Sequence, residues 1–188
     1  MSAHPTGAKH GGGPRIGSLC TGYGGFDLAV EWVLGGRLAW YAETDPHAKT
    51  VCEHHWPHVA NLGDIRSIDW SRVEPVEILT AGFPCQDISN AGKRAGITGE
   101  HSSVWTAVAD AIRALRPPFV FVENVAALLH RGFDVVHADL AEIGYDTRWL
   151  CLRASDIGAA HRRDRLFLLA ADQRRLRAGA DAADAVRP

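Results

Sequence analysis

Short apolar runs alternate with helix-patterned segments along most of this chain, and that alternation leaves few folds open to it. Ile16 to Leu19, Leu38 to Glu43, Ile78 to Ala81 and Phe119 to Val122 read as strands, with further strands near Asp146 to Leu152 and at Leu166 to Leu169. Phe119 to Val122 is apolar at every position, as a strand covered by helices on both faces must be. Between the strands, Phe26, Ala29, Val30, Val33 and Leu34 recur at helical spacing. Pro46 to His54 has proline in the first turn, where its missing N–H costs nothing. Val104, Ala107, Val108, Ala111, Ile112 and Leu115 form one stripe that Arg116-Pro117-Pro118 ends, and Val136, Leu140 and Ile143 mark a last helix. The pattern predicts an α/β fold, a three-layer α/β/α sandwich around a mostly parallel sheet.

A length of 188 residues with 46% hydrophobic and 22% charged residues suits one domain with an ordinary core. Residues 1–14, with Gly11-Gly12-Gly13-Pro14, read as a flexible leader. Residues 15–170 carry the folding pattern, and the Ala/Asp/Arg-rich stretch 171–188 reads as a frayed or disordered tail. No apolar run approaches a membrane span and the N-terminus lacks a signal-peptide core, so a cytoplasmic protein with no membrane partner is expected. Cys20, Cys52, Cys85 and Cys151 are scattered without a C-x-x-C pair, which suggests neither a disulfide framework nor a zinc ribbon. Cys52, His54, His55 and His58 lie close together, but their spacing matches no standard zinc pattern and no metal is expected. The net charge of −2 gives no global sign of nucleic-acid binding. Arginines nevertheless crowd the stretch from Arg148 to Arg177, which suits either a phosphate-facing surface or a solvated face.

Gly82-Phe83-Pro84-Cys85-Gln86 places one cysteine on a tight turn directly after a buried-looking strand. Such a thiol is either a small buried hydrophobe or a nucleophile. Glu123 ends another apolar run, so a thiol and a carboxyl fall at one edge of the sheet, as a nucleophile and acid pair would. Phe83 to Ser102 is long, polar and glycine-bearing, and reads as a loop carrying that thiol. At the first strand, Thr21-Gly22-Tyr23-Gly24-Gly25 lets backbone approach a ligand, and Glu43 after the second strand is placed to accept ribose hydroxyls. The glycine spacing is not G-x-G-x-x-G, which argues for a nucleoside without phosphates, and Asp64 adds an acceptor for an adenine amino group.

Taken together these residues resemble the DNA (cytosine-5) methyltransferases, which use S-adenosylmethionine. Leu19-Cys20-Thr21-Gly22-Tyr23-Gly24-Gly25 is similar to the family's first motif, Glu43-Thr44-Asp45 to its second and Gly63-Asp64-Ile65 to its third. Gly82 to Gln86 matches the nucleophile motif, Glu123-Asn124-Val125 the acid motif, and His161-Arg162-Arg163-Asp164-Arg165 the family's Gln-x-Arg-x-Arg. The likeness implies a Rossmann-like S-adenosylmethionine-dependent methyltransferase fold. It implies that Cys85 adds to cytosine C6, that Glu123 holds N3 and the exocyclic amine, and that Arg165 with Arg163 steadies the base; an Arg163 or Arg165 surface pair with Asp164 is the other reading of those arginines. Gly22, Tyr23, Gly24, Gly25, Glu43, Thr44, Asp64, Ile65 and Pro84 would hold S-adenosylmethionine, and Gln86, Ser89, Lys93, Arg94 and Asn124 would meet DNA. The base must leave the duplex to reach such a site.

Departures bear on those roles. Cys20 stands where the family has phenylalanine, His161 where it has glutamine, and His101-Ser102 where it commonly has Arg-Gly. The family continues with a target-recognition domain and a segment that closes the cofactor pocket, and this sequence shows neither. Three functions follow: a methyltransferase catalytic part acting alone or with a separate recognition domain or chain, a silent cofactor-binding fragment, or a tRNA cytosine-5 methyltransferase.

Overall fold

The computed structural model describes residues 12–84 and 102–175. Strands β1 (Arg15–Leu19), β2 (Arg37–Ala42), β3 (Ala60–Asn61), β4 (Ile78–Ala81), β5 (Phe119–Val125), β6 (Tyr145–Arg153) and β7 (Asp164–Asp172) form one sheet in the order β3-β2-β1-β4-β5-β7-β6. β1 to β5 pair in parallel, whereas β7 runs antiparallel between β5 and β6. Helices α1 (Gly25–Leu34), α2 (Pro46–His55), α3 (Ser102–Leu115) and α4 (Phe133–Ile143) supply the crossovers. Among the described residues no helix is long and apolar enough to cross a membrane.

The sheet ends level where it matters. Leu19 pairs with Ala42 on one side and Ala81 on the other, and Ala81 pairs with Val122. The next residue of each strand is therefore Cys20, Glu43, Gly82 or Glu123, four positions along one carboxyl edge. Close packing behind this edge depends on glycine at two points. A Cβ on Gly17 would lie 2.3 Å from the Trp40 ring, and one on Gly24, at φ +76, would lie 2.5 Å from Trp56. Gly24 thus lets α1 start against the end of α2, where Trp56 caps the helix and donates through Nε1 to Glu31.

The main core lies between the sheet and α3 with α4. Val120 and Val122 of β5 and Leu166, Leu168 and Ala170 of β7 join Val108, Ile112, Val136 and Leu140 in one buried cluster. Each fully buried aliphatic side chain there contributes about 1.5–3 kcal/mol over an exposed one. On the other face, α1 and α2 cover β1, β2 and part of β4 through Ile16, Val30, Leu38, Tyr41, Cys52, Trp56 and Ile78. Cys52, one member of the Cys/His cluster, is buried in this second core and its thiol donates to the Gly22 carbonyl.

Two features depart from the sequence reading. Helix α1 forms as its periodicity predicts, but of its apolar stripe only Val30 is buried; Val33 is 74% exposed and Leu34 44%. The stripe borders a bare stretch of sheet. Residues pairing across β5, β7 and β6 on that face are Phe121–Leu169–Arg148, then Glu123–Phe167–Leu150, then Val125–Arg165–Leu152. Leu150 is 51% exposed and Leu152 41%. A shallow apolar groove of about 270 Å³ runs between Phe26, Phe121, Phe167, Leu169 and Leu150. Among the described residues the sandwich is complete on one face and half complete on the other. Periodicity reports that a helix has an apolar side, not that anything in the described chain covers it.

The second departure is at β7, which runs past Leu169 through Ala171 and Asp172. Asp172 is buried and pairs with Arg116 at 2.7 Å. Arg116 also donates to the Ile143 carbonyl and lies over the Tyr145 ring, 5.0 Å from its centroid. An acid and an alanine carry no strand signal, so this pairing was invisible in a linear reading. Asp172→Ala strands the guanidinium against α4, and an equilibrium urea titration should show a loss of about 2 kcal/mol or more. An unchanged midpoint would mean that the ion pair contributes nothing net.

Candidate active site

Glu43 is the most fully oriented side chain on the carboxyl edge. One carboxylate oxygen accepts the Gly22 N–H at 2.7 Å, and the other accepts Thr44 N–H at 2.7 Å and Asp45 N–H at 2.8 Å. Asn61, at the end of β3, clamps the same residue through its backbone: its Oδ1 accepts Glu43 N–H at 3.1 Å and its Nδ2 donates to the Glu43 carbonyl at 3.1 Å. Asn61 Oδ1 also accepts the Gly63 N–H. Sequence reasoning passed over Asn61, whose only signal was an amide at the end of a two-residue strand.

Around Glu43 opens a cavity of about 410 Å³, lined by Cys20, Gly22, Thr44, Asp64, Ile65, Gly82 and Pro84 among others. The residues expected to hold the adenosine part of a cofactor are thus brought together. Asp64 does not present a free carboxylate, however. Arg66 pairs with it at 2.6 Å and donates from its backbone as well, which holds the acid below its usual range. Cys20, at φ +53, contributes a small wall in place of an aromatic ring. Burial, with Glu43 and Asp64 nearby, pushes its thiol up to about 12.

A second cavity of about 500 Å³ adjoins the first, since both are lined by Cys20, Gly22 and Gly82. Its remaining wall includes Tyr23, Gly25, Phe26, Asp27, Thr80, Glu123, Arg163 and Phe167. Tyr23 lies here with its ring 65% exposed. Glu123 is paired with Arg165, Nε to Oε1 at 2.5 Å, with both side chains partly open to solvent. Arg165 sits inside β7, directly opposite Val125, so the antiparallel strand delivers it to Glu123; Arg163 precedes that strand and lines the cavity. Asp164 points to Arg153 at 3.7 Å and makes no side-chain pair with Arg165.

Asn124 differs from its expected role at the substrate. It is 2% exposed, its amide donates to the Phe83 carbonyl at 3.2 Å, and its Oδ1 accepts the Val125 N–H. It ties the end of β5 to the Gly82-Phe83-Pro84 turn, where Phe83 packs on Trp105 of α3. Cys85, Gln86, Ser89, Lys93 and Arg94 lie outside the described residues. Because Pro84 lines the first cavity and Gly82 both, residue 85 follows directly from the site.

A mostly parallel sheet whose carboxyl edge carries a backbone-fixed carboxylate, a glycine turn and a carboxylate–guanidinium pair is a Rossmann-like α/β architecture. Residues 15–182 match the model of the C-5 cytosine-specific DNA methylase family, and the chain belongs to that family. It is 32% identical over 164 residues to the type II methyltransferase M2.BsuMI of Bacillus subtilis, covering 83% of this chain and 41% of that protein. It is 30% identical over 161 residues to M.HhaI of Haemophilus parahaemolyticus, covering 84% of this chain and 49% of the relative. In fold it is similar to the Dnmt2 methyltransferase of S. pombe, with a TM-score of 0.71, 18% identity and coverage of 85% and 51%. The Entamoeba histolytica methyltransferase EhMeth gives 0.74 at 17% identity, covering 86% of this chain and 53% of its own. The chain spans half or less of the length of these curated relatives.

The thiols near the site are held protonated. Cys20 and Cys52 are raised to about 12 and about 11, chiefly by burial. Alkylation with iodoacetamide at pH 8, read by peptide mass spectrometry, should modify exposed Cys151 well before either. Equal labelling of Cys20 would contradict a half-buried, protonated thiol at that position.

Proposed function

We propose that this chain is the catalytic part of an S-adenosylmethionine-dependent DNA cytosine-5 methyltransferase, working with a recognition domain or a separately encoded recognition chain. The observation that carries this reading is the Glu123–Arg165 pair, set level with Gly82 and the turn that leads into Cys85. Family membership and the type II relatives support a role in DNA methylation of the restriction-modification kind.

The cofactor fits the residues present. Glu43 lines the cavity with its oxygens fixed by three backbone amides, two on Oε1 and one on Oε2, so Oε2 keeps an acceptor site for a ribose hydroxyl. Gly22, Tyr23 and Gly25 offer backbone close to the ligand, with Ile65 as an apolar wall, while Gly24 packs on Trp56 and lines neither cavity. S-adenosylmethionine supplies, when bound, an electrophilic methyl group on a sulfonium. Cytosine C5 is too poor a nucleophile to take that methyl unaided. Cys85 adds to C6 and pushes electron density toward C5, while Glu123 bonds N3 and the exocyclic amine and gives N3 a proton as that density builds. Arg165 holds the Glu123 carboxyl in place, and Arg163, which lines the same cavity as Glu123, is placed to meet the base oxygen. Once C5 carries the methyl group, loss of its proton expels Cys85. The cytosine must be turned out of the duplex for any of these contacts.

The half-covered sheet supports the need for a further segment. Glu123 and Arg165 lie on the same face as the half-buried Phe121, Phe167 and Leu169 and the exposed Leu150. A polypeptide packed there would wall the second cavity. Phosphate contacts through surface arginines give sequence-blind, salt-sensitive binding, so base reading falls to that further segment.

Cys85→Ser should abolish methyl transfer to mixed-sequence DNA and leave S-adenosylmethionine affinity within about twofold, because the thiol acts on the base and not on the cofactor. Tritium transfer from labelled cofactor, paired with calorimetry, separates the two effects. Retained turnover would remove Cys85 as the nucleophile.

A further inference from the structure

Asp27 is a carboxylate in the first turn of α1, only 2% exposed, directly beneath the glycine turn. Its Oδ1 accepts the hydroxyl of Thr80, and Ser18 bonds it as well. Ser18 in turn bonds Thr21 at 2.9 Å, and Thr21 N–H donates to the Ala42 carbonyl, so a buried polar chain links α1, β4, β1 and the end of β2. Among the described residues Asp27 makes no ion pair. An ionised carboxylate buried on hydroxyls alone is costly, and burial accordingly pushes its pKa up to about 6. Such a cost is offset when a cation enters beside it, and Asp27 lines the second cavity together with Gly22, Gly25 and Glu123.

We propose that Asp27 is the counter-charge for the cofactor's sulfonium, and that it makes this cleft prefer positively charged S-adenosylmethionine over its neutral thioether product, S-adenosylhomocysteine. The proposal rests on the cofactor reading above and adds a residue that sets the preference between substrate and product. Other titratable groups stand near Asp27 or border the cavity. Glu31 lies one turn along α1, Cys52 on α2 is raised by burial and by Asp27, and Cys20, Tyr23, Glu123 and Arg163 border the cavity. Glu123 is already neutralised by Arg165, which leaves Asp27 as the buried anion without a protein cation. The sulfonium loses its charge on methyl transfer, so the attraction holds before the reaction and lapses after it.

The test is calorimetric titration of the full chain and of Asp27→Asn with both ligands, at pH 8 and pH 5. The asparagine keeps the shape and an oxygen acceptor for Thr80. The variant should keep the wild-type melting temperature or exceed it at pH 8, since the unpaired buried charge is gone. It should bind S-adenosylmethionine about tenfold more weakly and S-adenosylhomocysteine within about twofold of wild type. In the wild type, protonating Asp27 below about pH 6 should weaken S-adenosylmethionine more than S-adenosylhomocysteine, an effect the variant lacks. This pH series needs no variant and stands if Asp27→Asn fails to fold. Equal weakening of both ligands, or an unchanged ratio at both pH values, overturns the counter-charge role while leaving the cofactor reading intact. If the wild type binds neither ligand, both fall.

Discussion

The register of four parallel strands is the constraint on which this site depends. Because Leu19, Ala42, Ala81 and Val122 are level across β1, β2, β4 and β5, the four residues that follow them emerge on one edge. A slip of one residue in any strand would turn its terminal side chain to the opposite face. Gly17 permits the Trp40 ring to lie flat against β1, which keeps β1 and β2 in this register despite the irregularity between Ile16 and Gly17. From that edge the chemistry divides along its length. The β2 side with Glu43 and Asn61 is built on backbone amides, whereas the β5 and β7 side is built on the side-chain pair of Glu123 and Arg165.

That division matches two tasks. Under the proposed function a ribose must be held in one position during each cycle, and a carboxylate fixed by three N–H donors suits that. A base that enters and leaves needs groups able to exchange partners, and the Glu123–Arg165 pair, at 27% and 20% side-chain exposure, remains open to the cleft. Asn124 stands between the two, buried and holding the Phe83 turn against β5. Its task is to place the residues after Pro84.

Much of this was legible in the sequence, and for a definite reason. Positions packed against helices, such as Val120 and Val122 under α3 and α4 or the α3 stripe, write their burial into the residue pattern, and the alternating fold class follows from them, although among the described residues β5 is covered on this one face and not on both as its apolar run suggested. The motif residues were legible because tight turns and paired carboxylates demand particular residue types. What escaped was set by tertiary partners. Asp172 is a strand residue only because Arg116 neutralises it, Asp64 is tied up by an arginine two positions on, and Asn124 faces inward because a carbonyl from β4's turn lies 3.2 Å away. The α1 stripe misled in the opposite sense, since Val33 and Leu34 carry a core pattern for a layer that the described residues do not supply. Asp27 hid as an ordinary first-turn acid, and only its burial sets it apart.

The central claim is that a thiol one residue beyond Pro84 forms a bond to cytosine C6 while Glu123 supports the base. The most direct measurement incubates the chain, with S-adenosylmethionine and its recognition partner where one is found, with DNA carrying 5-fluorocytosine at candidate target positions. Fluorine cannot leave C5 as the proton does, so the adduct persists once the methyl group is in place. Intact-mass and peptide analysis should then find the modified DNA base on Cys85 and on no other cysteine. An adduct on Cys20, Cys52 or Cys151, or product formed from ordinary DNA with no trapped species on the fluorinated one, would contradict the account.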